Sequence, residues 1–550
     1  MLLIRGLLKA CHFLILLFVL CVETSYSHVG YKALFNVKDY GATGNKTEDA
    51  RPAIQKAIDA CSAGGGGTVY LPPGEYTSGT LYLRSHVAMH IEAGAILFAS
   101  QNVANFDRKN PNHSALLYAE DVENITIEGP GTIDGQAEYD WREDDHEQGF
   151  SHKRLMLSLR KPLLRTFPKD FPNRTLYPFL IWLNRCKDVR IVGLSLLHSP
   201  SWTIAQYACE RVVIDSVHIY TSLKEAVWAD GIDLDGCRDV RISNSTIETG
   251  DDCIIFISSN VWGPARWCEN ITVTNCRLSS ASAGVKFSEG NRLGVRKVVL
   301  ENSVLTNVNR GFVFSVTQGG DVSDVLLSNL TIDCNRFDWF WAGDGEPFYF
   351  KITRQSEWNG QVPKPDEPLA GSIRNVMIQN VIAHGKGTWI IDGHPDSWLD
   401  GISFDNVKLF VSTDSAAPYD SAVHAVSCRW AKNLQIKDFE VAWDKPILDK
   451  WESALYFEDV NGLELDHFAG QSVRSDRGIP VVVFNKVADA TIRNSRALDD
   501  TQVFLKVLGT ESRDIYLQGN DFRRAKVPYW LEKDVRGETI KMLDSLAFSQ

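Results

Sequence analysis

The chain has 550 residues, 44% of them hydrophobic and 23% charged, with 40 glycines and a formal net charge of −12. That hydrophobic content excludes a disordered chain, and the acidic balance excludes a nucleic-acid protein, whose phosphate contacts need clustered Lys and Arg. At roughly 100–200 residues per ordinary domain the length suggests three domains, a prior that an internal repeat overturns.

In chain order, Arg5 and Lys9 precede an apolar run from Phe13 to Val22, and Ser25-Tyr26-Ser27 places small residues at a cleavage site. Residues 1–27 therefore read as a secretory signal, too short to span a bilayer. A lipoprotein signal at Cys21 is disfavoured because Leu20 stands where a small residue is wanted. The mature chain is expected to be secreted or periplasmic. No later segment reaches roughly 18 uninterrupted apolar residues, so no membrane span is expected.

A helix is expected from about Asp49 to Cys61, with Ala53, Ile54, Ala57, Ile58 and Cys61 on one face. Beyond it the chain repeats a unit of the form polar-Φ-x-Φ-x-[ND]-x-x-Φ, as in DVRIVGLSL, RVVIDSVHI, DVRISNSTI, NITVTNCRL and KVVLENSVL. The first apolar residues are Val189, Val212, Val240, Ile271, Val298, Val325, Val376, Ile402, Leu434, Leu463, Ala490 and Ile515. Successive steps run from 23 to 32 residues except one of 51, which is two units or one unit plus an insertion. Short alternating strands at this period, turned at Asn, Asp or Gly, indicate an all-β, single-stranded right-handed parallel β-helix. One coil cannot bury its own apolar face, so coils stack on a shared core, and the helix caps the open N-terminal edge. Residues 28–550 then form one domain, expected to be monomeric.

Two segments break the rhythm: Gly135 to Pro178, and Asp333 to Ala370 with its RFDWFWAGDGEPFYF. Long loops on one face of a solenoid commonly wall a groove. Eleven cysteines less Cys11 and Cys21 leave nine, an odd number. Cys186, Cys209, Cys237 and Cys268 fill the same slot in successive units, which reads as a ladder of small buried side chains, with a disulfide as the alternative.

The middle coils carry the chemistry. VWADGIDLDGC (Val227–Cys237) is followed by ETGDDCIIFIS (Glu248–Ser258). Stacking the coils gives one column of Trp202, Asp230, Asp252, Ala283 and Arg310, with Asp251 beside it. Stacked strands lie about 4.8 Å apart. Like charges that close keep one carboxyl protonated, so the group offers both the acid and the base that glycosidic cleavage needs. The plainer reading of such aspartates is that they satisfy turn amides, which suits Asp233 and Asp235; a Ca²⁺ site is the other alternative. Lys286 shares a column with Asp233 and is a candidate substrate ligand. For Trp202 a core role and a sugar-stacking role are both open, as are substrate contact and turn packing for His198. Trp339, Phe340, Trp341 and Phe348 offer further sugar-stacking faces, though some must anchor their own loop.

With these residues in view, the sequence resembles glycoside hydrolase family 28, the polygalacturonase family, over nearly the whole mature chain. VKDYGATGNKTEDARPAIQKAIDAC, YAEDVENITIEGPGTIDGQ, LLHSPSWTI, DGIDLDGC and TGDDCIIF follow that family's order and spacing. The resemblance implies a β-helix that hydrolyses pectic glycosides with inversion and without metal or other cofactor. It implies Asp251 as general acid, with Asp230 and Asp252 holding and deprotonating the water. The departures are specific. The family's Asn-Thr-Asp is Trp228-Ala229-Asp230, and its Gly-His-Gly falls on Ser282-Ala283-Gly284, so its histidine is absent. Its carboxylate-gripping Arg-Ile-Lys falls on Val313-Phe314-Ser315. Nearby stand Arg310, Lys286 and a loop, Trp341-Ala342-Gly343-Asp344-Gly345-Glu346-Pro347, that resembles a divergent, largely bacterial branch; Trp341 and Glu346 join the expected substrate contacts. Loss of the clamp favours a rhamnogalacturonan-type linkage or exo action over plain endo-cleavage of polygalacturonate. A β-helix lyase or epimerase and a non-catalytic carbohydrate-binding protein are the competing classes. Unsaturated products would mark the former, and absence of turnover the latter. Seven N-x-[ST] matches, at Asn45, Asn112, Asn124, Asn173, Asn244, Asn270 and Asn329, carry no weight on origin.

Overall fold

The computed structural model describes residues 33–107, 113–137, 178–224, 226, 228–287, 290, 292–337, 343–358, 361–362, 364, 367, 370–413, 423–445, 447–473 and 477–546. The expected signal segment, most of the Gly135–Pro178 interruption, and Trp339, Phe340 and Trp341 lie outside the described residues.

Alternating apolar residues bounded by turn formers give short strands, and these pair in parallel with the equivalent strand of the next coil. One coil is Phe179–Asn184, Lys187–Val192 and Ser195–Leu197. The next is Ile204–Tyr207, Glu210–Asp215 and His218–Tyr220, each strand paired with its counterpart below. Repetition of this step builds a right-handed parallel β-helix. All twelve repeat positions fall into inner stacks: Val189 pairs with Val212, Val212 with Val240, Val240 with Ile271, and so on through Ile402. Leu434, Leu463, Ala490 and Ile515 continue it. Val325 pairs directly with Val376, so the step of 51 is one coil carrying an insertion.

The main buried apolar cluster runs from Val37 to Ile540, and a second, smaller one holds Ala115, Tyr118, Phe179, Trp182 and Ala205. Within the main cluster Phe256, Phe287, Phe314 and Phe350 stack rung on rung at centroid separations of 5.1, 4.3 and 4.3 Å. Phe348 joins this core, fully buried and 5.3 Å from Phe312, which corrects its expected place as a sugar-stacking face. It lies in the strand Glu346–Ile352, where alternation sends Phe348 and Phe350 inward and Tyr349 outward.

The helix Arg51–Ala63 buries Ala53, Ile54, Ala57, Ile58 and Cys61 as expected. Gln55 accepts from Tyr82 N at 2.8 Å and donates to Tyr82 O at 3.1 Å, so the helix satisfies the strand edge that it covers. Among the described residues no helix is long and apolar enough to cross a membrane.

Coil corners need a left-handed residue, and asparagine tolerates that conformation better than most. Asn244, Asn275, Asn302, Asn329, Asn380 and Asn406 all have φ between 53° and 55°. Their amides form a ladder: Asn329 Nδ2 donates to Asn302 at 3.0 Å, Asn380 to Asn329 at 3.0 Å and Asn406 to Asn380 at 2.8 Å. Asn244 and Asn329 therefore have a structural reason to be asparagine. The nine cysteines among the described residues are all buried and unbridged. In the ladder, Cys209 Sγ lies 3.4 Å from Leu183 O and Cys268 Sγ 3.4 Å from Leu234 O.

Candidate active site

Register places the acids. Ile204, Ile232, Ile254 and Val285 pair in succession, and Val285 pairs with Phe312. Two residues before each, Trp202, Asp230, Asp252, Ala283 and Arg310 form the expected column where the chain enters these strands. Glu346 extends it by pairing with Arg310, a neighbour that the length of the intervening loop concealed. The corner beneath the acids requires small residues. A Cβ on Gly231 would stand 2.5 Å from Cys253 O and 2.7 Å from Ile247 Cγ2.

Asp230, Asp251 and Asp252 are buried together, with one carboxylate oxygen from each lying within 4.8 Å of the other two. Asp252 N donates to Asp230 Oδ1 and to Asp251 Oδ1, each at 3.0 Å, so one backbone amide ties the three together. The Asp252 carboxylate is itself fully dressed. Its Oδ1 accepts from Ser282 Oγ at 2.6 Å and from Ala283 N at 3.0 Å, and its Oδ2 accepts from Lys286 Nζ at 3.0 Å. The backbone carbonyl of Asp251 accepts from Ser280 Oγ at 2.6 Å and Thr249 Oγ1 at 2.9 Å. The donor roles of Ser280, Ser282 and Thr249 escaped the sequence reading; for the two serines the trace was a polar run, Ser279-Ser280-Ala281-Ser282, where a strand would otherwise be apolar. Three carboxylates this close have the donor set of a cation site, but the Lys286 ammonium already occupies the outer oxygen of Asp252.

Arg310 lies one rung beyond Ala283, with Nε 3.3 Å from Glu346 Oε2 and its guanidinium 4.2 Å from the Tyr349 ring. Glu346 also accepts from Asp344 N at 2.6 Å. Burial first, and then the neighbouring Glu346, pushes the Asp344 carboxyl up to about 6, against the opposing pull of Arg336, with which it is ion-paired. Asp235 behaves as a turn aspartate: its Oδ1 accepts from Ser259 N at 2.7 Å, and burial raises its pKa.

Before the acids the outer columns turn aromatic. Tyr82, Tyr118, Trp182, Ala205 and Asp233 form one column. Phe179 and Trp202 stack in the other, 5.1 Å apart at 6°. Trp262 closes on them from the Ser258–Cys268 connection. Phe179, Trp182 and Tyr118 are buried, whereas Trp202 and Trp262 remain partly open beside Asp230. His198 is set apart from this group and faces Asp134 at 3.2 Å; that hydrogen bond raises its pKa. The structure thus brings Trp202, Lys286, Arg310 and Glu346 to the acids' face, leaves His198 turned towards the preceding coil, and does not describe Trp341.

Known proteins are similar to this chain in sequence and in fold. The model of "Glycosyl hydrolases family 28" matches residues 169–333, and that of "Rhamnogalacturonase A/epimerase, pectate lyase-like" matches residues 34–110. A probable polygalacturonase of Vitis vinifera is 24% identical over 398 residues, covering 68% of this chain and 74% of its own. An exopolygalacturonase of Platanus acerifolia is 26% identical over 317 residues, covering 55% and 72%. Among solved structures, the family 28 exopolygalacturonase of Yersinia enterocolitica superposes with a TM-score of 0.61 at 19% identity, covering 79% of this chain and 78% of that one.

Proposed function

We propose that this chain, which is similar to glycosyl hydrolase family 28 over residues 169–333 and to polygalacturonases along much of its length, is a glycosidase of that family and hydrolyses a pectic, uronic-acid-containing glycan with inversion at Asp230, Asp251 and Asp252. The carrying observation is the trio itself, three buried carboxyls tied by one amide. In this mechanism the general acid enters the cycle protonated and the base ionised. Asp251 gives that proton to the leaving glycosidic oxygen. Asp230 and Asp252 hold the water and take its proton as it attacks from the opposite side. Inverting enzymes commonly separate acid and base by roughly 6.5–9.5 Å to admit water. Here the closer spacing requires the water to lodge against Asp230 and Asp252 together, and the third carboxyl makes a covalent intermediate unnecessary.

Two features support a rhamnogalacturonan-type or exo-acting preference. At the clamp position Val313, Phe314 and Ser315 are all buried and none is charged. The Arg310 charge is already engaged by Glu346. On the other side of the acids the partly open Trp202 and Trp262 offer faces suited to a neutral or deoxy sugar rather than to a carboxylate. The names of several relatives also record exo action, while one is an endo-polygalacturonase. Export of residues 28–550 as one domain completes the proposal.

The test is Asp251→Asn assayed for reducing ends on rhamnogalacturonan, homogalacturonan and their oligosaccharides. Turnover should fall by about 10³-fold or more while oligosaccharide affinity persists. Undiminished turnover, or a wild-type protein that binds but releases no reducing ends, would refute the proposal.

A further inference from the structure

We propose that Lys286 is a positioning residue for the hydrolytic machinery, acting through Asp252 rather than by gripping substrate; this rests on the functional reading above. The lysine side chain retains 11% exposure and Asp252 2%, and Nζ stands 3.0 Å from Oδ2. A substrate ligand must turn its charge to the open groove, whereas this ammonium is directed at the most enclosed carboxylate of the trio. With Ser282 Oγ and Ala283 N on the other oxygen, three donors lock the plane of Asp252 and one of them carries charge. Ala283 occupies the place of the family motif's histidine, and its methyl group has no proton to donate. Its backbone N–H and the lysine arriving from three residues on supply the hydrogen bonding and the positive charge together.

Register accounts for why this lysine and an arginine clamp do not coexist here. Lys286 pairs with Val313, the position at which the clamp's arginine would stand. A cationic side chain there would start one rung, about 4.8 Å, from Lys286, and like charges directly paired across strands are destabilising. Among the described residues, the charged and titratable groups around Lys286 are Asp252 on the preceding coil, with Asp230 and Asp251 behind it; Asp233 two rungs down its own column; Arg310 on the following coil; and Tyr349 beyond Val313. The carboxylates outnumber the cations, so the lysine offsets part of the charge that crowds the water site.

The experiment compares K286M and K286R with wild type in steady-state kinetics on whichever pectic oligosaccharide the wild type cleaves. Preorganised donors of this kind contribute about 10²–10³ in kcat. K286M should therefore lose about 100-fold or more in kcat with KM within about threefold, and K286R, which keeps the charge, should recover at least about tenfold of that loss. If K286M does not fold, as judged by its melting curve, K286Q is read by the same criteria. A tenfold rise in KM with kcat preserved would make Lys286 a substrate ligand and overturn the inference. So would kinetics indifferent to the substitution. A wild type without turnover defeats the hydrolase reading itself, whereas an active wild type beside an indifferent K286M defeats the lysine's role alone.

Discussion

Replacing Phe314 by alanine tests whether stacked coils hold the groove from within. Its ring has no exposed surface and lies between Phe287 and Phe350, 4.3 Å from each at 6° and 8°. An aromatic ring buries roughly 200 Å², and at ~25 cal/mol per Å² its removal forfeits about 5 kcal/mol, an upper figure because unfolded chains are partly compact. Measured Phe→Ala losses in cores of about 3–5 kcal/mol bracket the same value. We expect F314A to lose about 4 kcal/mol in urea unfolding followed by far-ultraviolet circular dichroism. V304A, at a side chain 42% exposed, should change stability by less than about 0.5 kcal/mol. Because the ring faces inward, folded F314A should retain kcat within about threefold. A loss below about 1 kcal/mol, or abolished turnover at full stability, would refute this account of the ladder and assign Phe314 to the site.

Asp344 should give stability a distinct pH dependence. Its carboxyl is raised from 3.8 to about 6 in the folded chain, so the folded state holds that proton more tightly and loses stability as pH rises through this window. The full shift would be about 3 kcal/mol, but a side chain 45% exposed is solvent-screened, and about 1 kcal/mol is expected. The stability difference between D344N and wild type should therefore move in the variant's favour by that amount from pH 4 to pH 7; a flat difference would contradict it. G231A should destabilise by about 2 kcal/mol and depress turnover, because its methyl group meets Cys253 O and displaces the corner that carries Asp230; unchanged unfolding and activity would show that the corner yields. W202A should raise KM about tenfold with a smaller effect on kcat if the open indole stacks on sugar beside Asp230; an unchanged KM would leave Trp202 as packing for Phe179.

Much of this architecture was legible in the sequence because a strand's period of two leaves little room for error. A one-residue slip would turn Val212, Val240 and Ile271 outward and bury neighbours such as Arg211, Arg241 and Thr272, so aligning the repeats fixes the register and with it the column from Trp202 to Arg310. What stayed hidden depended on loops and on the reach of side chains. Glu346 could not be set over Arg310 while a step of 51 residues admitted either one coil or two. Phe348 looked like a neighbour of Trp341 until the strand Glu346–Ile352 set its direction. Lys286 was correctly placed in the column of Asp233, yet spacing alone does not say which carboxylate a flexible four-carbon arm will reach; the structure shows Asp252.

The central claim, that the three aspartates direct water to the glycosidic carbon with inversion, is tested most directly by proton nuclear magnetic resonance of the first-formed product during wild-type turnover. The account predicts that the new reducing end appears initially in the anomeric configuration opposite to that of the bond cleaved, and equilibrates afterwards. A first product of the same configuration would make one of the carboxyls a nucleophile, and an unsaturated product would replace hydrolysis with elimination; either result would contradict it.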